Sequence, residues 1–312
     1  MLEIIFSRKG GLWEEVVKRA RASFEKKQDF ILITNAIYTL QAEKQLMKDL
    51  GTEGLVFVEV QSPAWFKKQI FEFEGKSELP YIDENGKKLL VELALESNID
   101  KLKTIKFTRP TLGLTSSFCS LISELKENDI SPEKMLDLAQ KQENEHSKDK
   151  FLDIANIYKS YDELCLNRFL DEQDEAFEMI KRIKDSERIK NTNFAFFGFD
   201  TISPYLSSLV ISIAKHSKSC LFTMINDGPK AKDYKRFEAT DKSLDLMAEI
   251  ARQSGVNTSI KGLEKKNYKE PPELIHLEEN LLMYSPKKFT QKTDGIEIFI
   301  SPRIYDEVEH GL

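Results

Sequence analysis

The residues that follow the first apolar run of the sequence stand where a nucleotide-binding protein carries its phosphate loop. Such a loop, GxxxxGK[ST], lets backbone N–H groups approach phosphate and supplies a lysine and a Mg²⁺-binding hydroxyl. Here the turn reads Ser7-Arg8-Lys9-Gly10-Gly11-Leu12-Trp13-Glu14. Leu12 occupies the glycine position, Trp13 the lysine position and Glu14 the Ser/Thr position. Because Glu14 would repel phosphate and Trp13 would fill its space, we predict a degenerate phosphate loop without a cofactor.

Lys9 leaves one alternative open. It could replace the missing lysine, and the chain would then be a residual ATPase with a non-standard loop. However, Lys9 lies in the turn and not at the start of the helix, where a solvated lysine is the ordinary interpretation.

A second element of an ATPase site would be an acidic residue at the end of a buried strand, where it holds Mg²⁺. The apolar run Phe194–Phe199 contains no acidic residue, and Asp200 comes late. An aspartate in this position is more often a cap or turn residue. Both nucleotide-binding elements are therefore predicted to be missing.

Other sets of chemically active residues are equally sparse. The four histidines lack metal-ligand spacing, and Cys119, Cys165 and Cys220 are odd in number and far apart, without CxxC. We predict no catalytic residue and no metal site. The cysteines, the short N-terminal apolar run and the lack of a membrane-length segment indicate a cytoplasmic protein. The net charge of −6 argues against a surface that attracts nucleic acid everywhere, but it allows local basic patches.

Apolar runs alternate with helical periods at both ends of the chain. The predicted strands are Leu2–Phe6, Phe30–Thr34, Leu55–Val60, Asn193–Phe199, Ser219–Ile225 and Gly295–Ile300. The first three are each followed by a predicted helix, at Leu12–Phe24, Thr39–Leu50 and Pro63–Phe73. Repeated strand–helix units predict an α/β fold with a parallel sheet.

The middle of the chain shows helical periods and no convincing strand. We therefore predict an α/β core from residues 1–84 and 186–303, with an inserted helical subdomain at residues 85–185. Residues 304–312 begin a further helix, which indicates the start of a following domain that this chain does not complete.

Several segments, in collinear order, resemble the N-terminal helicase-like region of the AddB-type subunit of bacterial ATP-dependent helicase–nucleases. They are YTLQAEKQLMKDLGTEGL from Tyr38, IDENGKKLLVELAL from Ile82, SELKENDISPEKM from Ser123, DIANIYKSYDELCLNRFLDEQD from Asp153, FGFDTISP from Phe197 and DEVEHGL from Asp306. The resemblance covers nearly the whole chain. It implies a P-loop-NTPase-like fold, similar to the first domain of superfamily 1 helicases, with a large helical insertion.

The resemblance also implies a role. In this family an A-type helicase–nuclease subunit is the motor, and the helicase-like part of the AddB-type protein follows one DNA strand while double-strand breaks are processed for recombinational repair. ATP, Mg²⁺ and an iron–sulfur cluster belong to other parts of that complex. The expected function is therefore non-catalytic: binding and tracking single-stranded DNA, and scaffolding the complex with the A-type partner.

The family's strand-contacting motif appears here as Ser62-Pro63-Ala64-Trp65-Phe66-Lys67-Lys68. The resemblance implies that DNA is contacted by Thr39, Ser62, Trp65, Lys67 and Lys68. An aromatic ring beside two lysines could stack on a base and contact phosphate. The alternative is that Trp65 and Phe66 are core residues of the helix and the lysines are solvated. A separate hypothesis is a purely structural domain that binds the partner and no DNA.

Overall fold

The computed structural model describes residues 1–8, 10–75, 77–226, 237–263 and 271–311 of the 312-residue chain. Within these ranges six strands form one sheet in the order β3-β2-β4-β5-β1-β6, and all neighbours are parallel. The strands are β1 (Leu2–Phe6), β2 (Phe30–Thr34), β3 (Val58–Gln61), β4 (Asn193–Phe197), β5 (Ser219–Met224) and β6 (Thr258–Gly262). The predicted α/β class with a parallel sheet is confirmed.

Thirteen helices connect or flank the strands in the described ranges. They are α1 (Leu12–Glu25), α2 (Thr39–Leu50), α3 (Pro63–Glu74), α4 (Glu84–Glu96), α5 (Leu112–Glu127), α6 (Pro132–Gln140), α7 (Glu145–Cys165), α8 (Glu172–Ile183), α9 (Glu187–Asn191), α10 (Pro204–His216), α11 (Glu238–Gln253), α12 (Pro272–Asn280) and α13 (Ile304–Gly311). Three of them begin with a serine cap followed by proline, at Ser62, Ser131 and Ser203. This combination satisfies a free N–H group and sets the first helical φ, so these starts are readable from sequence. No helix in the described part of the chain is long and apolar enough to cross a membrane.

The sheet separates two apolar layers. Ile31, Ile33 and Phe196 lie on the face covered by α3, α8, α10 and α11, whereas Leu32 and Ala195 lie on the face covered by α1 and α2. Successive side chains of a strand point to opposite faces, so a strand covered on both sides must be apolar throughout. β2 meets this condition, since all five of its residues are buried.

The last predicted strand is wrong. Residues 295–300 form no strand, and Ile298 and Ile300 are 84% and 86% exposed. Instead, Thr258–Gly262 pairs with β1 as the edge strand β6. All five residues of β6 are exposed, so it lacks the apolar pattern from which a buried strand is predicted. This segment is a strand because its backbone pairs with β1, and not because its residues are apolar.

The helical segment between β3 and β4 has an apolar core of its own. Helices α4, α5 and α7 bury Val91, Ile122 and Ile157 completely in one cluster. In α8, by contrast, Met179 and Ile183 belong to the sheet's core. The boundaries of the predicted domains stay a prediction. Helix α8 lies within the predicted insertion, residues 85–185, but packs its apolar face against the sheet layer.

A buried ionic network joins α8 to helices α5 and α7. The Lys126 ammonium lies 3.0 Å from Asp171 and 2.8 Å from Asp174, and Asp171 also accepts a 2.8 Å hydrogen bond from the Tyr161 hydroxyl. Burial raises the pKa of Asp171, but the Lys126 and Lys87 ammonium groups outweigh it, so this pKa lies below its ordinary value. Asp171 and Asp174 also form the capping box of α8. Asp171 and Asp174 therefore cap the start of α8 and also compensate the charge of the buried Lys126 ammonium.

Lys126→Met should reduce the free energy of unfolding by about 3–5 kcal/mol, because it leaves buried carboxylates without their cation. Lys134→Met is the matched control, since Lys134 pairs with Asp129 on the exposed surface and should contribute less than about 1 kcal/mol. Urea unfolding measures both.

Within this network, the contribution of Asp171 has a pH dependence of defined sign, while burial raises the pKa of the neighbouring Asp174 carboxyl. The pKa of Asp171 is lower in the folded state than in the unfolded chain, so its contribution is complete above about pH 4 and is lost as the pH falls through the folded-state pKa. Equal losses for Lys126→Met and Lys134→Met would contradict this account of the network.

Candidate functional site

All six strands run in the same direction, so their carboxyl ends meet at one edge of the sheet. In open α/β sheets, ligands bind in the crevice outside this edge. The turn after β1, the turn after β4 and the start of α3 after β3 all lie here. The candidate residues therefore sit along this edge or on helices that begin at it.

The predicted phosphate turn and the end of β4 meet in one cavity, of about 320 Å³. Its walls include Gly11, Trp13 and Glu14 from the turn and Phe197 and Asp200 from the end of β4. β5 lies between β1 and β4 in the sheet, and Thr223 of β5 completes the wall. The structure thus brings together the two elements that the sequence analysis treated separately.

Trp13 forms one wall of this cavity from the side of α1. Its ring packs edge-to-face against Phe197, with centroids 5.2 Å apart and an interplanar angle of 68°. The indole Nε1 donates a 2.7 Å hydrogen bond to Asp49 of α2. Because one end of the ring is packed and the other is hydrogen-bonded, the indole is held in place at the cavity wall.

Two consecutive glycines of the turn adopt a left-handed backbone conformation. Gly10 and Gly11 have φ angles of 78° and 85°, in the region that favours glycine. Gly11 precedes α1, Leu12 is buried and Glu14 is exposed. Lys9, the remaining residue of the predicted loop, lies outside the described residues. The turn thus joins two left-handed glycines to a buried Leu12 and an exposed Glu14.

Arg8 brings a second partner to the turn, which sequence reasoning missed. Its guanidinium pairs with both carboxylate oxygens of Glu278 on α12, with Nη2 donating to Oε2 over 3.0 Å. Arg8 is largely buried, with a side chain 13% exposed. The two residues are 270 positions apart, so no local signal could reveal the pair.

The end of β4 offers aromatic rings in place of a metal-binding acid. Phe197 and Phe199 flank Gly198, whose φ is 80°. A Cβ on Gly198 would lie 3.3 Å from the Thr34 hydroxyl, so the close approach of β2 also favours glycine here. Asp200 is exposed at the cavity wall. Among the described residues, no three His, Cys, Asp or Glu side chains are grouped so as to hold a metal ion.

The predicted DNA-contact residues fall mainly on α3. Ser62 caps this helix, its hydroxyl accepting the Trp65 N–H over 3.2 Å. Trp65 is 50% exposed, and the Lys68 ammonium lies 4.7 Å from its ring centroid. Phe66, by contrast, is a core residue, 1% exposed. The hypothesis that Trp65 and Phe66 are both core residues therefore fails for Trp65.

The other two candidates are engaged locally. The Lys67 ammonium lies 2.8 Å from the Glu175 carboxylate of α8, and the Lys67 side chain is only 16% exposed. Thr39 begins α2 and donates its hydroxyl hydrogen to the Ala36 carbonyl over 3.0 Å. One helix thus carries four of the five candidates, and Thr39 stands on the neighbouring strand–helix unit.

The cysteines contribute no reactive group to this edge of the sheet. Cys119, Cys165 and Cys220 are buried free thiols. Burial raises the pKa of Cys165 to about 11, and it raises those of Cys119 and Cys220 as well. A raised pKa keeps a thiol protonated and therefore a poor nucleophile at neutral pH.

The fold and the edge geometry define a class: an α/β domain with one all-parallel sheet, a helical segment between β3 and β4, and a glycine-containing turn after β1 whose cavity is walled by Trp13 and Phe197. The model of the family described as ADDB, N-terminal, matches residues 8–278, and the chain belongs to this family. The predicted resemblance is thereby confirmed.

Curated relatives agree with the family, and each is named as the B-type component of an ATP-dependent helicase/deoxyribonuclease. The one from Ruminiclostridium cellulolyticum is 25% identical over 300 residues, which cover 93% of this chain and 26% of that protein. Those from Caldanaerobacter subterraneus and Alkaliphilus metalliredigens are both 24% identical, over 89% and 95% of this chain. The chain spans about a quarter of the length of these relatives.

Trp13→Phe tests how firmly the turn is held. It keeps a ring beside Phe197 but removes the donor to Asp49, and we expect a loss of stability at the lower end of about 1.5–3 kcal/mol, the range for hydrogen bonds to charged groups. Trp65→Phe is the control, because the exposed Trp65 should change stability by less than about 0.5 kcal/mol. Thermal unfolding of both variants gives the comparison. A Trp13→Phe protein as stable as Trp65→Phe would show that the hydrogen bond does not fix the turn.

Proposed function

We propose that this chain is a non-catalytic, helicase-like domain that binds single-stranded DNA within one component of a DNA-break-processing helicase–nuclease. Its relatives are named as B-type components of ATP-dependent helicase/deoxyribonucleases, and it corresponds to about a quarter of their length. In this proposal an A-type protein is the partner and the motor. ATP, Mg²⁺ and the iron–sulfur cluster belong to other parts of the complex.

The observation that carries the DNA-binding proposal is the exposed pair on α3. Trp65 presents half of its surface to solvent, with the Lys68 ammonium over the ring. An aromatic platform beside a cation suits single-stranded nucleic acid, since a base stacks on the ring and its phosphate approaches the ammonium. The chain's net charge of −6 makes such binding local and dependent on these few side chains.

The absence of ATP hydrolysis is proposed from the contents of the phosphate turn. In the predicted register an indole stands at the lysine position, and it contacts Phe197 at the end of β4, where an ATPase site would carry an acidic residue. The neighbouring Arg8 is paired with Glu278, a carboxylate of the same chain. A phosphate group that entered the cavity would meet an indole in place of a lysine and would compete with Glu278 for Arg8.

A purely structural, partner-binding role is the second candidate, and the turn after β2 favours it. Ile37 and Leu40, which flank Tyr38 and Thr39, are 83% and 61% exposed. Exposed apolar side chains near one another are typical of protein interfaces. This role predicts that substitutions at Trp65 leave the affinity for DNA unchanged.

Anisotropy titration of labelled oligothymidylate at low salt tests DNA binding. Trp65→Ala should weaken binding by about tenfold, because base stacking on an aromatic side chain contributes about 1–3 kcal/mol. Tyr305→Ala is the control, since Tyr305 is an 82% exposed aromatic residue on α13 and should leave the affinity unchanged. Absence of binding by the unaltered chain, or equal affinities of the two variants, would refute the DNA-binding proposal.

Tryptophan fluorescence tests nucleotide binding, because the chain has two tryptophans. In Trp65→Phe, Trp13 in the phosphate-turn cavity is the sole indole reporter. We expect its emission to stay constant when ATP and Mg²⁺ are added, since Trp13 and Glu14 stand where a phosphate loop would carry its lysine and its Mg²⁺-binding hydroxyl. The residual-ATPase hypothesis predicts the opposite: a saturable change that Lys9→Ala abolishes.

A further inference from the structure

A large cleft lies between α3 and the two segments that connect the sheet layer to the helical segment. These segments, here called the neck, are Leu79–Ile82 and Phe169–Asp171. They are joined by a parallel bridge between Tyr81 and Leu170, with Ile82 N–H donating to the Leu170 carbonyl and Leu170 N–H to the Pro80 carbonyl. The cleft has a volume of about 670 Å³ and includes Lys67, Lys68, Phe71, Tyr81, Leu170 and Glu175 in its walls.

The walls of the cleft combine apolar surface with charges of both signs: two lysines, and the glutamates Glu72, Glu78 and Glu175. Phe71 and Leu170 supply buried or half-buried apolar surface, and Tyr81 is 51% exposed. Lys67 and Lys68 reach the cleft from α3. A mainly apolar cleft of this size, with a few charged groups, is typical of a small-ligand site. An exposed aromatic ring together with ammonium groups matches the base and the phosphate of a nucleotide.

Each lysine is already paired with a carboxylate of the same chain. Lys67 lies 2.8 Å from Glu175 of α8, both side chains being largely buried, and Lys68 lies 4.0 Å from Glu72 in a more exposed pair. A phosphate that approaches Lys67 must therefore compete with Glu175. The Lys67–Glu175 pair joins two helices that are more than 100 residues apart in sequence, so it also spans the cleft wall.

We propose that this cleft binds one nucleotide of a single strand, with the base against Tyr81 and the phosphate on Lys67, and that Glu175 holds the site closed until the phosphate displaces it. This inference rests on the proposed DNA-binding function and extends the DNA path. The surface formed by Trp65 and Lys68 is continuous with the cleft, because Lys68 belongs to both.

The test measures the affinity for labelled oligothymidylate over a series of salt concentrations. Glu175→Gln should bind about two to five times more tightly than the unaltered chain, because the competing ion pair is removed. Its salt dependence should steepen by about 0.7 in the slope of log K against log [salt], the value for one additional phosphate contact on a single strand.

Glu178→Gln is a matched control. Glu178 lies on the same helix, its side chain is 27% exposed against 26% for Glu175, and it pairs with Lys181 away from the cleft. Both variants change the net charge equally, so only a difference between them reports on the release of Lys67.

Tyr81 supplies a second, independent measurement. Tyr81→Ala should weaken binding by about fivefold or more through the loss of stacking, and Tyr81→Phe should retain the affinity because the ring remains. The cleft inference is overturned if Glu175→Gln and Glu178→Gln bind the oligonucleotide with equal affinity and Tyr81→Ala binds as tightly as the unaltered chain. In that case, weaker binding by Trp65→Ala still supports the proposed function. If neither the unaltered chain nor Glu175→Gln binds at low salt, both the inference and the proposed function fail.

Discussion

The parallel ladder from β1 through β5 to β4 is the constraint on which the candidate sites depend. Because the strands share one direction, the turns after them open at one edge, although Trp13 and Phe197 are far apart in sequence. Apolar layers on both faces hold this ladder in place and require a strand such as β2 to be buried throughout. The edge at the carboxyl ends of the strands, which carries the candidate residues, is not covered by these layers.

At that edge, two aromatic rings join elements that are distant in sequence. Trp13 of α1 meets Phe197 of β4 edge-to-face, and its Nε1 donates a hydrogen bond to Asp49 of α2. The contact between the rings and the hydrogen bond together hold the turn after β1 against the end of β4 and against α2.

Cations at the candidate sites are compensated within the chain. Arg8 pairs with Glu278, and Lys67 pairs with Glu175. An anion that approaches either cation must therefore compete with a carboxylate. Such competition weakens general attraction of anions to this surface, in keeping with a net charge of −6.

The sequence alone determined the local elements: β2 and α2 lie where their patterns predict, and the caps of α3 and α6 stand at Ser62 and Ser131. These features depend on short-range periodicity and capping. That Trp13 replaces the lysine of a phosphate loop stays a prediction. Only the tertiary structure placed β6 beside β1, left residues 295–300 unpaired, exposed Trp65 but not Phe66, and paired Lys67 with Glu175. Those outcomes depend on which distant segments pack together, and a local sequence pattern does not specify those contacts.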